Sequence, residues 1–144
     1  MTGADLYEIV PAVPYTEEDL NYSDRSTRAT WEQDTPQTRP EIAGEALDLT
    51  GYSTVYIGYP IWWGEEPRIL CTFVESQDFT DKRIIPFCSH GGGRFGQSLT
   101  AIAKLAPESA MGQGLSIHYS GGATLSEDVA AWLEANQLSG EARG

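Results

Sequence analysis

Short apolar runs bounded by prolines, glycines and polar residues predict the strands of this chain. Residues 55–59 are β-branched, aromatic or glycine, which is typical of a buried strand, and Pro60 ends the run because proline cannot donate to a ladder. An alternating segment near the start is ended by Pro11 and Pro14. The predicted strands are therefore residues 6–10, 55–59, 83–88 and 114–119.

Apolar positions at helical spacing follow the last three of these strands. A sparser pattern, with Thr16 and Asp19 at capping distance, predicts a short, partly solvated helix within residues 15–34. The last helix starts at a capping box of Thr124 and Glu127. Strands that alternate with helices imply right-handed crossovers, a parallel sheet and an α/β fold. The predicted inward faces are Ile69, Leu70, Phe73 and Val74; then Leu99, Ile102, Ala103, Leu105 and Ala106; then Val129, Trp132 and Leu133.

Composition and net charge argue against several classes of function. A length of 144 residues suits a single domain, residues 1–144, and a net charge of −12 disfavours nucleic acid and anionic membranes while favouring basic partners. Cys71 and Cys88 have neither redox-motif nor zinc-site spacing and are expected to be buried thiols, so no metal site is predicted. No apolar run is long enough to span a membrane and no export signal is recognisable, so we expect a cytoplasmic protein.

Two loops at the ends of successive strands contain the candidate ligand-binding residues. The first, residues 60–64, holds the adjacent indoles Trp62 and Trp63, which extended backbone directs to opposite sides, so that at least one should lie at the surface. The second, residues 89–96, is rich in glycine. Parallel strands bring such loops to one edge of the sheet, where aromatic planes and bare backbone suit a flat ring with polar edges. Alternatively, the tryptophans cap the core and the glycines only form a turn.

Single histidines give weaker signals. His90 is interpreted as an acid, as a donor to a ligand edge, or as a structural residue at a helix start, and the structural role is the more common one. His118 lies within a predicted strand and is interpreted as structural. The sequence contains no serine-triad order, H-E-x-x-H or Walker motif, which argues against hydrolases and nucleotidases.

These two loops also carry a family resemblance. The segments Gly58-Tyr59-Pro60-Ile61-Trp62-Trp63-Gly64 and Pro86-Phe87-Cys88-Ser89-His90-Gly91-Gly92 closely resemble the bacterial flavodoxin-like family, and the similarity extends to residues 2–9 and 105–107. The resemblance implies a three-layer α/β/α flavodoxin-like fold with a parallel sheet, and FMN held between the loops. It places the flavin ring between two sets of residues: Pro60, Ile61, Trp62, Trp63 and Gly64 on one side, and Ser89, His90, Gly91, Gly92, Gly93, Phe95 and Gly96 on the other.

One part of the family pattern has no counterpart in this sequence. The family begins with a strand and a Ser/Thr/Gly/Asn-rich loop that binds the FMN phosphate at a helix N-terminus, and neither is found here. In the family strand order 2-1-3-4-5 the absent strand is central. We therefore expect weak FMN binding, with riboflavin bound nearly as well. The open edge is expected to be covered either by residues 6–10 or by another chain in a homodimer.

The resemblance favours an FMN-binding electron carrier in which no side chain needs to be catalytic. Its expected partner is a redox protein. An FMN-dependent NAD(P)H:quinone-type oxidoreductase has the same fold and is the first alternative. A flavin-free interaction module with that fold is the second.

Overall fold

The computed structural model describes residues 4–21, 26–44, 47–119, 121 and 123–137, with only the backbone of residue 137. Within these residues, four strands and four helices alternate in part along the chain. Three of the strands lie where the apolar pattern predicts them, and the two-residue strand at 110–111 was not predicted. In chain order they are α1 (Arg28–Asp34), β1 (Thr54–Pro60), α2 (Arg68–Glu75), β2 (Arg83–His90), α3 (Ser98–Leu105), β3 (Ala110–Met111), β4 (Leu115–His118) and α4 (Leu125–Gln137).

All three described strand pairings are parallel, and β2 takes part in each of them. β1 pairs along the full length of one side of β2, with Tyr59 opposite Cys88. β3 pairs with the start of β2, and β4 pairs with its end, where His118 lies opposite His90. The predicted parallel α/β sheet is confirmed.

Helices cover both faces of the sheet. On one face, Leu70 and Phe73 of α2 and Ile102 of α3 belong to one buried cluster with Ile84 of β2. On the other face, Trp132 and Leu133 of α4 pack with Ile85. These contacts give three layers and confirm the predicted inward faces of the helices. Cys71 and Cys88 are buried free thiols, as expected.

The segment before α1 differs from the prediction. Residues 6–10 do not form a strand, and Leu6 is 98% exposed. Among the described residues, backbone bonds reach this segment only near its end, from Ala43 N–H to Val10 O at 2.7 Å. The alternating pattern fails because an isolated strand leaves its backbone groups unpaired, and no described strand lies beside this one. The outer edge of β1 therefore has no strand partner among the described residues, and the expectation that residues 6–10 cover it is wrong.

The predicted helix within residues 15–34 is shorter than expected. Thr16 and Asp19 exchange the two hydrogen bonds of a capping box, at 3.0 and 3.1 Å, but only a turn follows them. Residues 22–25 lie outside the described residues, as do residues 2 and 3 of the family resemblance. The described helix begins at Arg28. None of the described helices is both long and apolar enough to cross a bilayer.

Candidate functional site

The loop after β1, residues 60–66, is a sharp turn and is called the Trp loop below. The N–H of Trp62 donates to the carbonyl of Glu65 at 2.9 Å, and the N–H of Glu65 returns a bond of 3.1 Å to Trp62. The two residues between them, Trp63 and Gly64, have φ angles of 53° and 78°. Two left-handed residues inside a pair of backbone bonds match a type I′ hairpin turn. Trp63 therefore sits at the tip of the loop in a conformation that costs a side-chain residue about 1–2 kcal/mol.

The two indoles have different surroundings. Trp62 is half-buried and meets the Tyr15 ring edge-on, with ring centroids 5.2 Å apart. Trp63 is 40% exposed, and its Nε1–H donates to Thr30 Oγ1 of α1 at 3.0 Å. The expectation that at least one tryptophan lies at the surface is confirmed.

Tyr15 is itself fixed by charged residues of α1. Its hydroxyl donates to the Glu32 carboxylate, and the Arg28 guanidinium carbon lies 3.8 Å from the centre of its ring. Burial, followed by the Glu32 hydrogen bond, raises the pKa of Tyr15 above its ordinary value. The phenol thus stays protonated and remains a hydrogen-bond donor to Glu32.

Buried polar groups tie the Trp loop to α1. The side-chain amide of Gln33 donates to the carbonyls of Trp62 and Glu66 at 3.0 and 2.9 Å. Arg68, only 3% exposed, donates to the carbonyls of Glu32 and Gln33 at 3.1 and 2.6 Å. The same guanidinium contacts the carboxylate of Glu65 at 2.7 Å. One buried cation therefore holds both the end of α1 and the base of the loop.

The Glu66 carboxylate lies inside the protein, not at a solvated helix start. It is 2% exposed, lies 3.4 Å from Arg68 Nη1, and accepts from the Cys71 thiol at 3.1 Å. Burial and then the Glu66 bond raise the pKa of Cys71 to about 12. The described helix α2 begins at Arg68 with Pro67 in the N-cap position, so Glu66 lies just before the helix and its carboxylate is buried.

The loop after β2, residues 91–97, is called the Gly loop below. Its first three residues are exposed glycines. The N–H of Gly92 donates to Nδ1 of the buried His90 at 3.0 Å, which leaves the ring proton of a neutral imidazole on Nε2. Burial, followed by repulsion from His118 and Arg94, lowers the pKa of His90. Through its bond to Gly92, the His90 ring holds the start of the Gly loop.

The two loops touch each other through backbone. The Gln97 N–H donates to the carbonyl of Gly64 at 2.9 Å, and the N–H of Ile61 donates to Ser89 O at 2.9 Å. Gly96 has a φ of 54°, and a β-carbon placed on it would lie 2.0 Å from the same Gly64 oxygen. The prediction that both loops lie at one edge of the sheet is confirmed, and the contact is close enough to require glycine at position 96.

The twelve predicted site residues divide into three groups by exposure. Ile61 and His90 are buried, and Ile61 belongs to the core cluster. The Phe95 ring lies 6.4 Å from Tyr59 and anchors the Gly loop to the core. The half-buried residues are Pro60, Trp62, Ser89 and Phe95, and the exposed ones are Trp63, Gly64, Gly91, Gly92, Gly93 and Gly96. The exposed group forms the surface that a ligand could reach.

Sequence reasoning missed the residues that hold the Trp loop in place. Thr30 and Gln33 lie on a helix whose start was predicted too early, and Tyr15 lies in a segment whose composition is that of a polar surface. The available signal was the run of opposite charges Glu65-Glu66-Pro67-Arg68 directly after two tryptophans. Buried charges are normally paired, so this run was a candidate for an internal ion pair.

Comparisons with known proteins agree with the geometry. The chain is similar to a proposed flavoprotein from Bacteroides eggerthii, with 35% identity and a TM-score of 0.82 over 93% of this chain and 82% of that one. A proposed flavoprotein from Bacteroides uniformis matches with 34% identity and a TM-score of 0.80 over 89% of this chain and 80% of that one. A flavoprotein from Lactobacillus acidophilus in complex with FMN shares the fold at 16% identity, with a TM-score of 0.59 over 82% of this chain and 75% of that one. A search of curated proteins found no match.

The family assignment rests on nearly the whole chain. Residues 1–136 match the family model described as Flavodoxin. The parallel sheet, its helices on both faces and the strand-end loops are the fold that this match implies. The chain therefore belongs to the flavodoxin family.

Proposed function

We propose that this protein binds FMN between the Trp loop and the Gly loop and transfers electrons. The observation that carries the proposal is that two loops contact each other through backbone at one edge of a parallel sheet. One loop bears the exposed indole of Trp63, and the other bears the exposed glycines 91–93. Membership of the flavodoxin family supports it. The FMN complex of the Lactobacillus acidophilus flavoprotein, which has the same fold, supports the choice of flavin.

The residues present fit such a ring. Trp63 offers an aromatic plane at the tip of a fixed turn, and stacking on a flat ring is worth about 0.5–1.5 kcal/mol beyond burial. Gly92 and Gly93 have open space where a β-carbon would lie, so a ligand edge can approach the backbone closely. Trp62 packs edge-on against the Tyr15 ring and supports the loop that carries Trp63.

Within this proposal the flavin supplies the redox chemistry, and the protein supplies binding, orientation and electrostatics. No side chain of the loops has to exchange a proton or form a bond. The net charge of −12 disfavours additional negative charge on the ligand, which lowers its reduction potential, and it favours docking of a basic redox protein. A cytoplasmic location belongs to the same proposal.

An NAD(P)H:quinone-type reductase is the second candidate function. It is favoured by one observation, an open pocket lined by Arg94 and two histidines beside the Gly loop, where a second, anionic substrate could bind. Steady-state NAD(P)H oxidation by the FMN-loaded protein, with and without a quinone, separates the two functions. Turnover that depends on the quinone supports the reductase, and its absence supports the electron carrier.

Tryptophan fluorescence tests the flavin site directly. Adding FMN should quench the emission, and Trp63→Ala should weaken FMN binding by roughly 2- to 13-fold, the equivalent of one stacking contact. Trp31→Ala is the matched control, because Trp31 is 59% exposed on α1 and is not part of either loop. If Trp62→Ala and Trp63→Ala both leave the affinity and the quenching unchanged, the stacking assignment is wrong. A protein that gives no flavin absorbance after loading would be the flavin-free module instead.

Glycine substitutions separate binding from folding. Gly93→Val places its side chain in open space at a position without a positive φ, so we expect the melting temperature to be retained and FMN binding to be lost. Gly91→Val meets the Tyr119 ring, 3.2 Å from the added β-carbon, and should therefore cost some stability as well. Unchanged FMN binding by both variants would favour the interpretation of the loop as a structural turn.

A further inference from the structure

A concave site lies beside the Gly loop, on the side of β2 opposite to the Trp loop. It is a half-open pocket of about 380 Å³ at the carboxyl ends of β2 and β4. This volume is in the range of small-molecule sites, roughly 300–1,000 Å³. Its polar lining comes from two strands, the Gly loop and α4, and consists of His90, Gly92, Arg94, Ser116, His118 and Asp128.

The strand register brings the two histidines together. His90 and His118 are directly opposite each other in the parallel pairing of β2 and β4, so their side chains leave the sheet on the same face. Their ring centroids are 5.5 Å apart in an edge-to-face arrangement. Because Nδ1 of His90 already accepts from Gly92, its Nε2 is the nitrogen left for a ligand.

Arg94 is held over this pocket in a strained conformation. Its φ is 54°, the left-handed region that a non-glycine residue rarely adopts, and such strain is often retained where a side chain has a function. Its Nη1 lies 3.4 Å from the Ser116 hydroxyl, on the neighbouring strand. Within the described part of the chain no carboxylate lies within 4.0 Å of Arg94, whereas Arg28, Arg39 and Arg68 each pair with a glutamate.

The charge around the pocket is opposite to that of the whole chain. The protein carries a net charge of −12, yet one arginine and two histidines line this pocket with a single carboxylate, Asp128. That carboxylate accepts from the Thr124 hydroxyl at 3.1 Å. Burial, followed by repulsion from His118 and Arg94, lowers the pKa of His90. A bound anion would offset the positive charge of Arg94 in this pocket.

We propose that this pocket binds the oxyanion group of a small ligand, a phosphate or a carboxylate. Arg94 supplies charge and a fork of donors, the Ser116 hydroxyl and the histidine N–H groups supply further donors, and the remaining volume holds the rest of the ligand. This pocket shares His90 and Gly92 with the predicted flavin site, but it extends from the Gly loop to β4, away from the Trp loop. Two sources share the chemistry: the phosphate of FMN itself, or an acidic group of a second substrate.

Sulfate is the probe for the pocket itself, because it stays doubly charged throughout the useful pH range. We expect sulfate to bind the flavin-free full chain and Arg94→Gln to weaken that binding by about tenfold or more, the value of one charge-assisted hydrogen bond. Lys104→Gln is the matched control, since it removes an exposed cation on α3 that does not line the pocket, and it should change the affinity less than about twofold. Ser116→Ala is the second test if Arg94→Gln does not fold.

The pH dependence of sulfate binding distinguishes this pocket from a general effect of surface charge. The titratable and charged groups facing the pocket are His90, His118, Arg94 and Asp128. Sulfate affinity should rise as the pH falls from about 8 to about 6, because histidines gain positive charge in this range. His118→Gln should flatten this rise, because it removes one of the two histidines that line the pocket.

Flavin-loaded protein distinguishes the two sources. If the FMN phosphate occupies the pocket, FMN blocks sulfate binding and riboflavin does not; if the pocket serves a second substrate, sulfate binds equally in the presence of either flavin. A protein that binds sulfate through Arg94 but binds no flavin would overturn the proposed function and leave this inference standing. No sulfate binding, or equal losses in Arg94→Gln and Lys104→Gln, would overturn the inference.

Discussion

Gly96→Ala should destabilise the protein through the junction of the two loops. The new methyl group would lie 2.0 Å from the carbonyl oxygen of Gly64 and 2.7 Å from its carbon, which are backbone atoms that cannot rotate away. The loops must separate, and the hydrogen bond from Gln97 N–H to Gly64 is the first interaction to break. Because Trp63 precedes Gly64 at the tip of the turn, the displacement reaches the proposed ring site.

Two terms set the size of the effect. An alanine at a φ of 54° costs about 1–2 kcal/mol, and the broken backbone hydrogen bond costs a further 0.5–1.5 kcal/mol or so. The sum is roughly 1.5–3.5 kcal/mol, which for a domain of this size corresponds to a fall in melting temperature of roughly 5–12 °C. FMN affinity should fall as well, because the two halves of the site no longer keep their spacing.

Gly93→Ala is the control for this experiment. It belongs to the same loop, its φ is not positive, and its added β-carbon would have no atom within 4 Å. Thermal unfolding followed by circular dichroism should therefore show a change of less than about 2 °C for Gly93→Ala. A Gly96→Ala protein that melts with the parent, or a Gly93→Ala protein that loses as much stability, would refute the reasoning from the junction.

Three further predictions follow from other parts of the structure. Arg68→Met should lower the free energy of unfolding in urea by about 3–5 kcal/mol, because it leaves Glu66 buried and unpaired. The control Arg39→Met, which removes an exposed ion pair, should lower it by less than about 1 kcal/mol. Equal losses in the two variants would contradict a special role for the buried ion pair. Burial raises the pKa values of Cys71 and Cys88 to about 12 and about 11, so both thiols should resist thiol reagents in the folded protein. The free energy of unfolding should fall as the pH rises above about 9, because the thiols of the unfolded chain ionise first. Rapid labelling of the native protein at pH 8 would contradict this. Light scattering should detect a homodimer in which the open edge of β1 is covered, and a strict monomer at high concentration would exclude it.

The sheet and its helices could be predicted because local pattern and tertiary packing agree there. The apolar faces of α2, α3 and α4 are the faces that pack on the sheet, and the central run 55–59 lies within β1. Residues 6–10 failed for the opposite reason. Their alternation is a necessary condition for a strand, but strand formation also needs a neighbouring backbone, and a local pattern does not reveal whether one is within reach.

The sequence predicts where the backbone of the candidate site lies, but it does not predict the side chains that hold that backbone in place. Tryptophans and glycines after successive parallel strands point to one sheet edge, and the junction of Gly64 with Gln97 places them there. The network of Gln33, Glu66 and Arg68 joins segments more than 30 residues apart through side chains, and no local periodicity encodes such a contact. The positive pocket was equally hidden, because Arg94 and Ser116 become neighbours only through the pairing of β2 with β4.

The bonds from Arg68 to the carbonyls of Glu32 and Gln33 have a consequence for how α1 orders. A helix of seven residues is too short to be stable alone, and α1 has no basic residue of its own in its last turn and no side-chain cap at its start. Arg68 supplies from 35 residues away the positive charge and the donors that the carboxyl end of a helix requires. The helix and the Trp loop therefore form one cooperative unit, so that a ligand that stiffens the loop also slows amide hydrogen exchange in α1, a segment on which no predicted ligand contact lies.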